Sequence, residues 1–501
     1  MGEKIEQLKQ HLYPKDDLDK ASALLQWDQE VYMPAGGVNA RSEQLATLQS
    51  MSHELFTSDE TARLLEEAEA EAEGLDYGSD EVSLVRVVRR QFDKMTKIPT
   101  EMVAELARVT SQAFVAWRQA REENDYGMFQ PHLTKVVDLN RRIADILGYE
   151  EHPYDALIDF YEPGIKTSQV ANLFQDLKEG LVPLLEEIVE EGKPVDDSFF
   201  GKDYPVDRQW DFTEVILRQM GYDFSRGRQD KAPHPFTIHF SCNDVRVTTR
   251  LFKNRPQSSA FSSIHEGGHA LYEQGIPERF DRTLLAGGAT LGIHESQSRL
   301  WENMMGRSRE FWTYFLPIFG AFFPKQLEGV SLEDFYRAIN KVQPDFIRVE
   351  ADEVTYNMHI FARFELEQAM VDGSLQMADV PEAWNGKYEE YLGIVPTKDS
   401  EGVLQDVHWS HGTVGYFPTY TLGNIMAAQL YRRVQQEIPG LVEGFSRGEL
   451  LPLLEWMREH VHKHGAKFTA PELMERELGE ELSAQPLLDY MREKYTEVYE
   501  L

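Results

Sequence analysis

The segment 258–272 reads SSAFSSIHEGGHALY, and its centre, HEGGH at 265–269, decides how the rest of the chain is interpreted. In an α-helix, residues four apart project from one face, so His265 and His269 are placed to bind one metal ion. Glu266 between them has the position of a base that acts on water beside the metal. Apolar residues on both sides predict a largely buried helix, where an unpaired histidine is unfavourable. The segment therefore predicts metal-assisted hydrolysis of a peptide bond.

Two glycines in the middle of this helix, Gly267 and Gly268, cost about 1 kcal/mol each relative to alanine. A purely structural helix gains nothing from them. They indicate a backbone that lies close to a substrate or to a neighbouring segment.

A catalytic zinc site usually has a third protein ligand. The extended motif H-E-x-x-H-x-x-G-x-x-H requires glycine at 272 and histidine at 275, but the chain has Tyr272 and Gly275. The remaining option is a carboxylate on a second helix, which we expect to begin after Gly287-Gly288. Glu295 is the predicted ligand. Glu302, two turns further along the same face, is the fallback, and its expected role is to accept from the N–H of a ligand imidazole.

Further short motifs follow one another along the chain. They are WDQE at 27–30, HPF at 234–236, DVRVT at 244–248, HESQ at 294–297, IRVEAD at 347–352 and GVLQDVHW at 402–409. Together with HEGGH, this ordered set resembles the M32 metallocarboxypeptidases, the thermostable carboxypeptidase family. The resemblance implies one catalytic domain over 1–501, with an N-terminal helical lobe at roughly 1–230 that covers a groove and a metal-site lobe at roughly 231–501.

The hydrophobic pattern has a 3.6-residue period over most of the chain and predicts a mainly α-helical fold. Helices are expected from 2–12 and 16–31 at the start to 485–499 at the end, with one unbroken helix over 39–73. The exception is 236–252, where alternating residues predict a hairpin within an antiparallel sheet of about three strands. The family resemblance implies the same architecture, a two-lobed helical body around a deep substrate groove, like the neurolysin and angiotensin-converting-enzyme relatives.

The composition restricts the partners. The formal net charge is −34, which repels nucleic-acid backbones and anionic membranes. There is one cysteine, so no internal disulfide can form, and a reducing compartment fits. The chain start lacks the apolar core of a signal peptide, and no apolar run reaches the length of a membrane span. We therefore expect a cytoplasmic protein that binds neither nucleic acids nor membranes. Its expected partners are the peptides that the HEGGH motif implies.

The resemblance implies an activity: removal of single C-terminal amino acids with broad specificity and poor cleavage at proline. It also implies a homodimer. Zn²⁺, one ion per subunit, is the expected cofactor, although two histidines and one glutamate also accept Co²⁺ or Mn²⁺.

The reaction also needs a donor to the oxyanion. The segment 408–420 offers histidines and tyrosines interrupted by glycines, which indicates backbone that bends close to something. His408 lies in a matched motif and is the first candidate. Tyr420 is the second, by similarity to the related peptidases, and Tyr416 or His411 are alternatives.

An exopeptidase must recognise a free carboxylate, and the fork of an arginine does this best. Arg348 is preferred over Arg246 because apolar residues flank it and because Asp352 and Glu353 are close enough in sequence to orient it. His234, in the matched HPF motif, completes the expected substrate-binding set.

Two other functions stay open at this stage. An endopeptidase on the same scaffold would share the metal motif, and only a cation that caps the groove would separate the two. A non-catalytic helical protein with a relic metal site is the second alternative, against which the intact Glu266 argues.

Overall fold

The computed structural model describes residues 2–501, most of which lie in α-helices, so the mainly helical fold is confirmed. The helices are α1 (Glu3–Val31), α2 (Val38–Phe56), α3 (Asp59–Ala72), α4 (Asp80–Lys97), α5 (Thr100–Glu123), α6 (Tyr126–Leu147), α7 (Pro153–Ile158), α8 (Thr167–Glu191), α9 (Val206–Met220), α10 (Pro256–Gly275), α11 (Leu291–Arg299), α12 (Arg309–Phe322), α13 (Leu332–Ile339), α14 (Glu353–Asp372), α15 (Val380–Leu392), α16 (Pro418–Glu437), α17 (Leu441–Phe445), α18 (Leu451–His460), α19 (Ala470–Leu478) and α20 (Gln485–Tyr499). Over residues 2–501, none of these helices is both long and apolar enough to cross a bilayer.

Two helix boundaries differ from the prediction. The helix predicted over 39–73 is two helices, because Ser58 caps the start of α3 by accepting a hydrogen bond from the backbone N–H of Thr61. The helices predicted at 2–12 and 16–31 are one continuous α1, which accommodates Pro14 at the loss of one backbone donor.

The sheet has three strands, as predicted, in the order β1 (Gly227–Lys231), β3 (Asp244–Thr249), β2 (Thr237–Ser241). The predicted hairpin is β2–β3, which pairs antiparallel with Thr237 opposite Val247. The expectation of a purely antiparallel sheet is wrong in one respect, because β1 pairs with β3 in parallel. β2 is an edge strand.

The chain divides into two compact units. The first unit consists of Met1–Thr96, Asp196–Ile339 and Leu430–Gly479, and it contains the sheet, α10 and α11. The second unit consists of Lys97–Val195, Asn340–Gln429 and Glu480–Leu501, and it contains α14 and the segment 408–420. The single catalytic domain with lobes at 1–230 and 231–501 stays a prediction.

The two glycines of α10 mark close approaches of neighbouring helices. A Cβ on Gly268 would lie 2.8 Å from the carbonyl oxygen of Gln297 and 2.8 Å from the Cα of Ser298, both on the backbone of α11. A Cβ on Gly267 would lie 2.7 Å from a side-chain methyl carbon of Leu217 on α9. The predicted close approach is therefore to neighbouring segments of the chain. At Gly268 it brings α11, with Glu295, directly against the histidine helix.

Candidate active site

The histidine motif lies on α10, as predicted. This helix begins at Pro256, whose missing N–H is harmless in the first turn, and it is buried over most of its length. His265 and His269 are one turn apart, and their rings are 5.0 Å from each other, centre to centre. Both keep some exposure, whereas Glu266 between them is buried.

The structure brings Glu295 to the two histidines. Its Oε2 atom is 3.6 Å from Nε2 of His265 and 3.4 Å from Nε2 of His269. One ligand atom from each of the three residues lies within 4.8 Å of the others. Bonds of about 2.0–2.2 Å to a tetrahedral ion place donor atoms roughly 3.3–3.5 Å apart, so this spacing fits one divalent metal ion.

The carboxylate of Glu295 is held in one orientation. Nε of Arg299 donates to Oε1 at 2.6 Å, and the hydroxyl of Ser298 donates to Oε2 at 3.1 Å. Burial alone would raise the pKa of Glu295, but Arg299 and the two histidines outweigh it and hold the pKa well below its usual range. Glu295 is therefore an anionic donor that presents Oε2 to the histidines.

Glu302 supports the other side of His265. Its Oε2 atom is 2.9 Å from Nδ1 of His265, and its Oε1 atom accepts from Arg307 at 3.0 Å. It lies in a π-helix, Leu300–Met305, that continues α11. The contact agrees with the expected outer role: a carboxylate on Nδ1 fixes the tautomer that leaves Nε2 free for a metal.

Glu266 faces the sheet. The hydroxyl of Thr237 on β2 lies 2.7 Å from its Oε2 atom and 2.9 Å from its backbone carbonyl oxygen. Burial raises the pKa of Glu266 above its ordinary value, although His265 and Thr237 oppose the shift. A carboxylate with a raised pKa is a stronger base than an exposed glutamate.

The second unit contains the predicted oxyanion donors. The Tyr420 hydroxyl is 3.4 Å from Nε2 of His408, and the ring of Tyr416 lies 5.4 Å from each of the rings of His408 and Tyr420. Burial lowers the pKa of His408 to about 4. His408 is therefore a neutral imidazole near pH 7. The ring of His411 packs on that of Phe114 on α5, with 5.1 Å between the ring centres.

Glu367 on α14 fixes the segment that carries these side chains. Its carboxylate accepts from the indole N–H of Trp409 at 2.8 Å, from the hydroxyl of Tyr154 at 2.6 Å and from the backbone N–H of Gly415 at 3.0 Å. Gly415 has a φ of 93°, and a Cβ there would lie 2.8 Å from the backbone of Leu157. The glycine that indicated a close backbone approach thus packs against the end of α7.

Arg348 is buried and paired with an acid that the sequence did not indicate. Its Nε and one terminal nitrogen donate to Oδ1 of Asp406 at 3.1 and 2.9 Å, and its other terminal nitrogen donates to the Tyr356 hydroxyl at 3.2 Å. The expectation that Asp352 and Glu353 orient Arg348 is wrong. Asp352 caps α14, and Glu353 pairs with Lys494. Arg348 therefore pairs with Asp406, which only the fold brings close, and not with its neighbours in the sequence.

Arg246 and His234 lie in the first unit. The guanidinium of Arg246 forms two hydrogen bonds to Asp244, each of 2.8 Å, and it stacks over Trp27 at 4.3 Å from the ring centre. His234 is exposed in the connection between β1 and β2. The structure therefore gives Arg246 an ion-pair partner on its own strand.

Several residues around the metal ligands had no predicted role: Thr237, Glu273, His294 and Arg299. His294 and Arg299 are adjacent to Glu295 or one turn from it, a spacing that could have identified both as supporting residues. Glu273 follows the ligand His269 by one turn of α10, so the same spacing could have identified it, whereas nothing in the local sequence indicated Thr237.

The chain is similar to known proteins over nearly its whole length. A family model described as "Carboxypeptidase Taq (M32) metallopeptidase" matches residues 7–495. "Thermostable carboxypeptidase 1" of Thermus thermophilus is 42% identical over 492 residues, 96% of this chain and 96% of the relative. "Carboxypeptidase 1" of Bacillus subtilis is 38% identical over 498 residues, 98% of this chain and 99% of the relative. The crystal structure of an M32 carboxypeptidase from Deinococcus radiodurans R1 matches with a TM-score of 0.96 at 40% identity, over 100% of both chains.

Proposed function

Because the chain belongs to the M32 metallocarboxypeptidase family and is therefore a peptidase, we propose that it releases single amino acids from the free C-terminus of peptides. The observation that carries the proposal is the convergence of His265, His269 and Glu295 around one point, with Glu266 beside them. Poor cleavage at proline and a broad tolerance for other residues belong to the same proposal.

The three donors suit a divalent ion, and we propose Zn²⁺, with Co²⁺ or Mn²⁺ as substitutes, one per subunit. His265 and His269 would bind it through Nε2, because Nδ1 of each ring faces a hydrogen-bond partner. Glu295 would bind through Oε2. When bound, such an ion supplies Lewis acidity that makes water more acidic and polarises a peptide carbonyl.

Glu266 is the proposed base. It takes a proton from the attacking water and later delivers that proton to the leaving amine, so the breaking C–N bond releases a neutral amino group. Two features support the role: burial raises the pKa of Glu266, and the hydrogen bond from Thr237 holds its carboxylate in place.

His408 and Tyr420 are the proposed donors to the oxyanion, with Tyr416 and His411 as alternatives. The contact between the Tyr420 hydroxyl and the His408 ring supports the first pair. His411 lacks this support, because it packs on Phe114.

Arg348 remains the proposed receptor for the substrate carboxylate, ahead of Arg246, with His234 as a further substrate contact. Asp406 and Tyr356 occupy three of the five N–H groups of Arg348 and hold its plane, and donors on both terminal nitrogens are left for a carboxylate. Asp244 occupies the Nε and NH2 side of Arg246 in the same way as Asp406 does in Arg348. The preference for Arg348 therefore follows from its apolar neighbours in the sequence, Ile347 and Val349.

A product ladder tests the proposal. The protein is incubated with a peptide of mixed sequence, and the products are followed by mass spectrometry with and without a chelator. The expected result is a stepwise loss of single C-terminal residues that slows at proline and that the chelator abolishes. Internal cuts would favour an endopeptidase, and the absence of chelator-sensitive cleavage would contradict a metallopeptidase.

Two properties of the whole molecule complete the proposal. We propose a homodimer, on the family resemblance, and a cytoplasmic location, which suits the single cysteine and the net charge of −34. Light scattering coupled to size exclusion measures the first, and fractionation of the source cells measures the second.

A further inference from the structure

A chain of hydrogen bonds extends behind the ligand His269. Its Nδ1 atom is 2.6 Å from Nδ1 of His294, and Nε2 of His294 is 2.7 Å from Oε1 of Glu273. Glu273 follows His269 by one turn of α10, and His294 lies in the first turns of α11. These two residues, His294 and Glu273, are called the outer relay below.

The protons of the relay can be assigned by elimination. Glu273 is buried, and although burial alone would raise its pKa, His239 and His294 outweigh it and lower the pKa to about 2. An ionised carboxylate only accepts, so Nε2 of His294 carries the proton and donates. An imidazole that binds a metal through Nε2 carries its proton on Nδ1. When His269 is such a ligand, its Nδ1 donates to Nδ1 of His294 at 2.6 Å, and its Nε2 lone pair lies on the side of Glu295.

His294 is held in this position by packing as well as by hydrogen bonds. Its ring lies 5.2 Å from that of Tyr272, and a Cβ on Gly288 would lie 2.7 Å from its Cδ2 atom. A second imidazole, that of His239 on β2, approaches Oε1 of Glu273 at 3.3 Å from the sheet side. The same strand contacts Glu266 through Thr237, so β2 supports both the proposed base and the outer relay.

The two ligand histidines thus have different supports. His265 donates directly to the carboxylate of Glu302 at 2.9 Å, whereas His269 reaches its carboxylate only through a second imidazole. A partner of this kind typically contributes 10–100-fold to metal affinity, since it fixes both the tautomer and the plane of the ligand ring.

We propose that His294 and Glu273 are positioning residues that hold His269 as an Nε2 ligand of the divalent ion. The inference rests on the proposed function, because it requires a metal at His265, His269 and Glu295. Metal binding by His269 then depends on Glu273, although Glu273 reaches His269 only through His294. Loss of either relay residue weakens metal retention while the three ligands remain.

Variants of His294 separate the parts of this argument. Phenylalanine keeps the volume but has no acceptor, so H294F is expected to bind Zn²⁺ about 10–100-fold more weakly in competition with a chromophoric chelator. Asparagine places a carbonyl oxygen near the position of Nδ1, so H294N is expected to keep most of the Zn²⁺ affinity that H294F loses. E273Q, whose amide oxygen still accepts from His294, is expected to lose less than H294F.

The matched control is H464N. His464 also donates from Nε2 to a glutamate, Glu477, at 2.7 Å, but no metal ligand adjoins it. Its Zn²⁺ affinity is expected to equal that of the parent. A loss of affinity in H464N equal to that in H294F would overturn the proposal, because the effect would then follow from general destabilisation.

A measurement on the unaltered protein keeps the test decisive if H294F does not fold. In the Co²⁺-loaded protein, proton NMR is expected to show two strongly shifted, slowly exchanging imidazole N–H signals, from Nδ1 of His265 and Nδ1 of His269. Only one such signal would overturn the relay.

Failure of the relay and failure of the proposed function give different results. Unchanged affinity in a folded H294F, together with lost affinity in E295Q, contradicts the relay alone. Unchanged affinity in E295Q contradicts the metal site itself and the relay with it.

Discussion

The close contact between α10 and α11 makes a sharp prediction about two neighbouring glycines. In G268A, the new methyl group would lie 2.8 Å from backbone atoms of Gln297 and Ser298, which cannot rotate away. Relief to an ordinary distance of 3.4 Å needs a shift of roughly 0.6 Å between the helices. Overpacking of this kind costs about 1–3 kcal/mol, against a gain of about 1 kcal/mol in helix propensity.

The same shift moves Glu295 away from the two histidines, because Glu295 is on the displaced helix two residues before Gln297. We therefore expect G268A to lower both the stability of the metal-free protein and the affinity for Zn²⁺. G267A is the control: its methyl group meets the ends of the flexible side chains Leu217 and Met220, which can move. It gains the same helix propensity and keeps the ligand geometry.

Both variants are measured by thermal unfolding of the metal-free protein and by chelator competition for Zn²⁺. We expect the free energy of unfolding of G268A to be about 1–3 kcal/mol below that of G267A, with the loss of metal affinity confined to G268A. Equal stability and equal affinity in the two variants would refute the reasoning, because backbone contact at Gly268 would then have no energetic consequence.

Three further predictions concern the reaction and pH. E266Q is expected to retain the metal but to lose roughly 10²–10⁴-fold in kcat, as measured by release of a C-terminal amino acid; full turnover would end the assignment of the base. R348A is expected to raise KM by about 10–100-fold for peptides with a free carboxylate and to lose discrimination against C-terminal amides, whereas R246A keeps that discrimination. Burial raises the pKa of Glu367 to about 7, even though hydrogen bonds from Tyr154 and two other donors oppose the shift. The ordinary pKa of a glutamate is 4.5, so between pH 4.5 and 7 the folded protein keeps a proton that the unfolded chain has released. The contribution of Glu367 to stability is thus present at low pH and falls by about 3 kcal/mol as the pH rises from 4.5 to 7. The difference in unfolding free energy between the parent and E367Q is expected to change by that amount over this range, and a constant difference would contradict the shift.

The sequence predicted those parts of the fold and site that depend on local spacing. The helical period of 3.6 residues predicted the helix with the two histidines and the helix with Glu295. The two-residue alternation of strands predicted the β2–β3 hairpin. The position of β1 was not predicted, because its residues, GRQDK, have no apolar alternation, and because it pairs with β3 and not with β2, the next strand in the chain. The start of α3 has a local signal in the sequence, because Ser58 precedes two acidic residues, a pattern typical of a helix N-cap.

The partners of the site residues were the least predictable part. Arg348 pairs with Asp406, 58 residues away, in preference to acids four and five residues from it. The relay of His294 to Glu273 spans 21 residues and requires α10 and α11 to touch. Such pairs depend on which elements meet, which a periodic pattern does not encode.

The central claim is that His265, His269 and Glu295 hold one divalent ion. A crystal structure of the Zn²⁺-loaded protein, with anomalous diffraction recorded on both sides of the zinc edge, tests it most directly. We expect one anomalous peak per chain, bonded to Nε2 of each histidine and to Oε2 of Glu295 at about 2.0–2.2 Å. A loaded protein whose peak lies elsewhere, or whose Glu295 points away from the ion, would contradict the account.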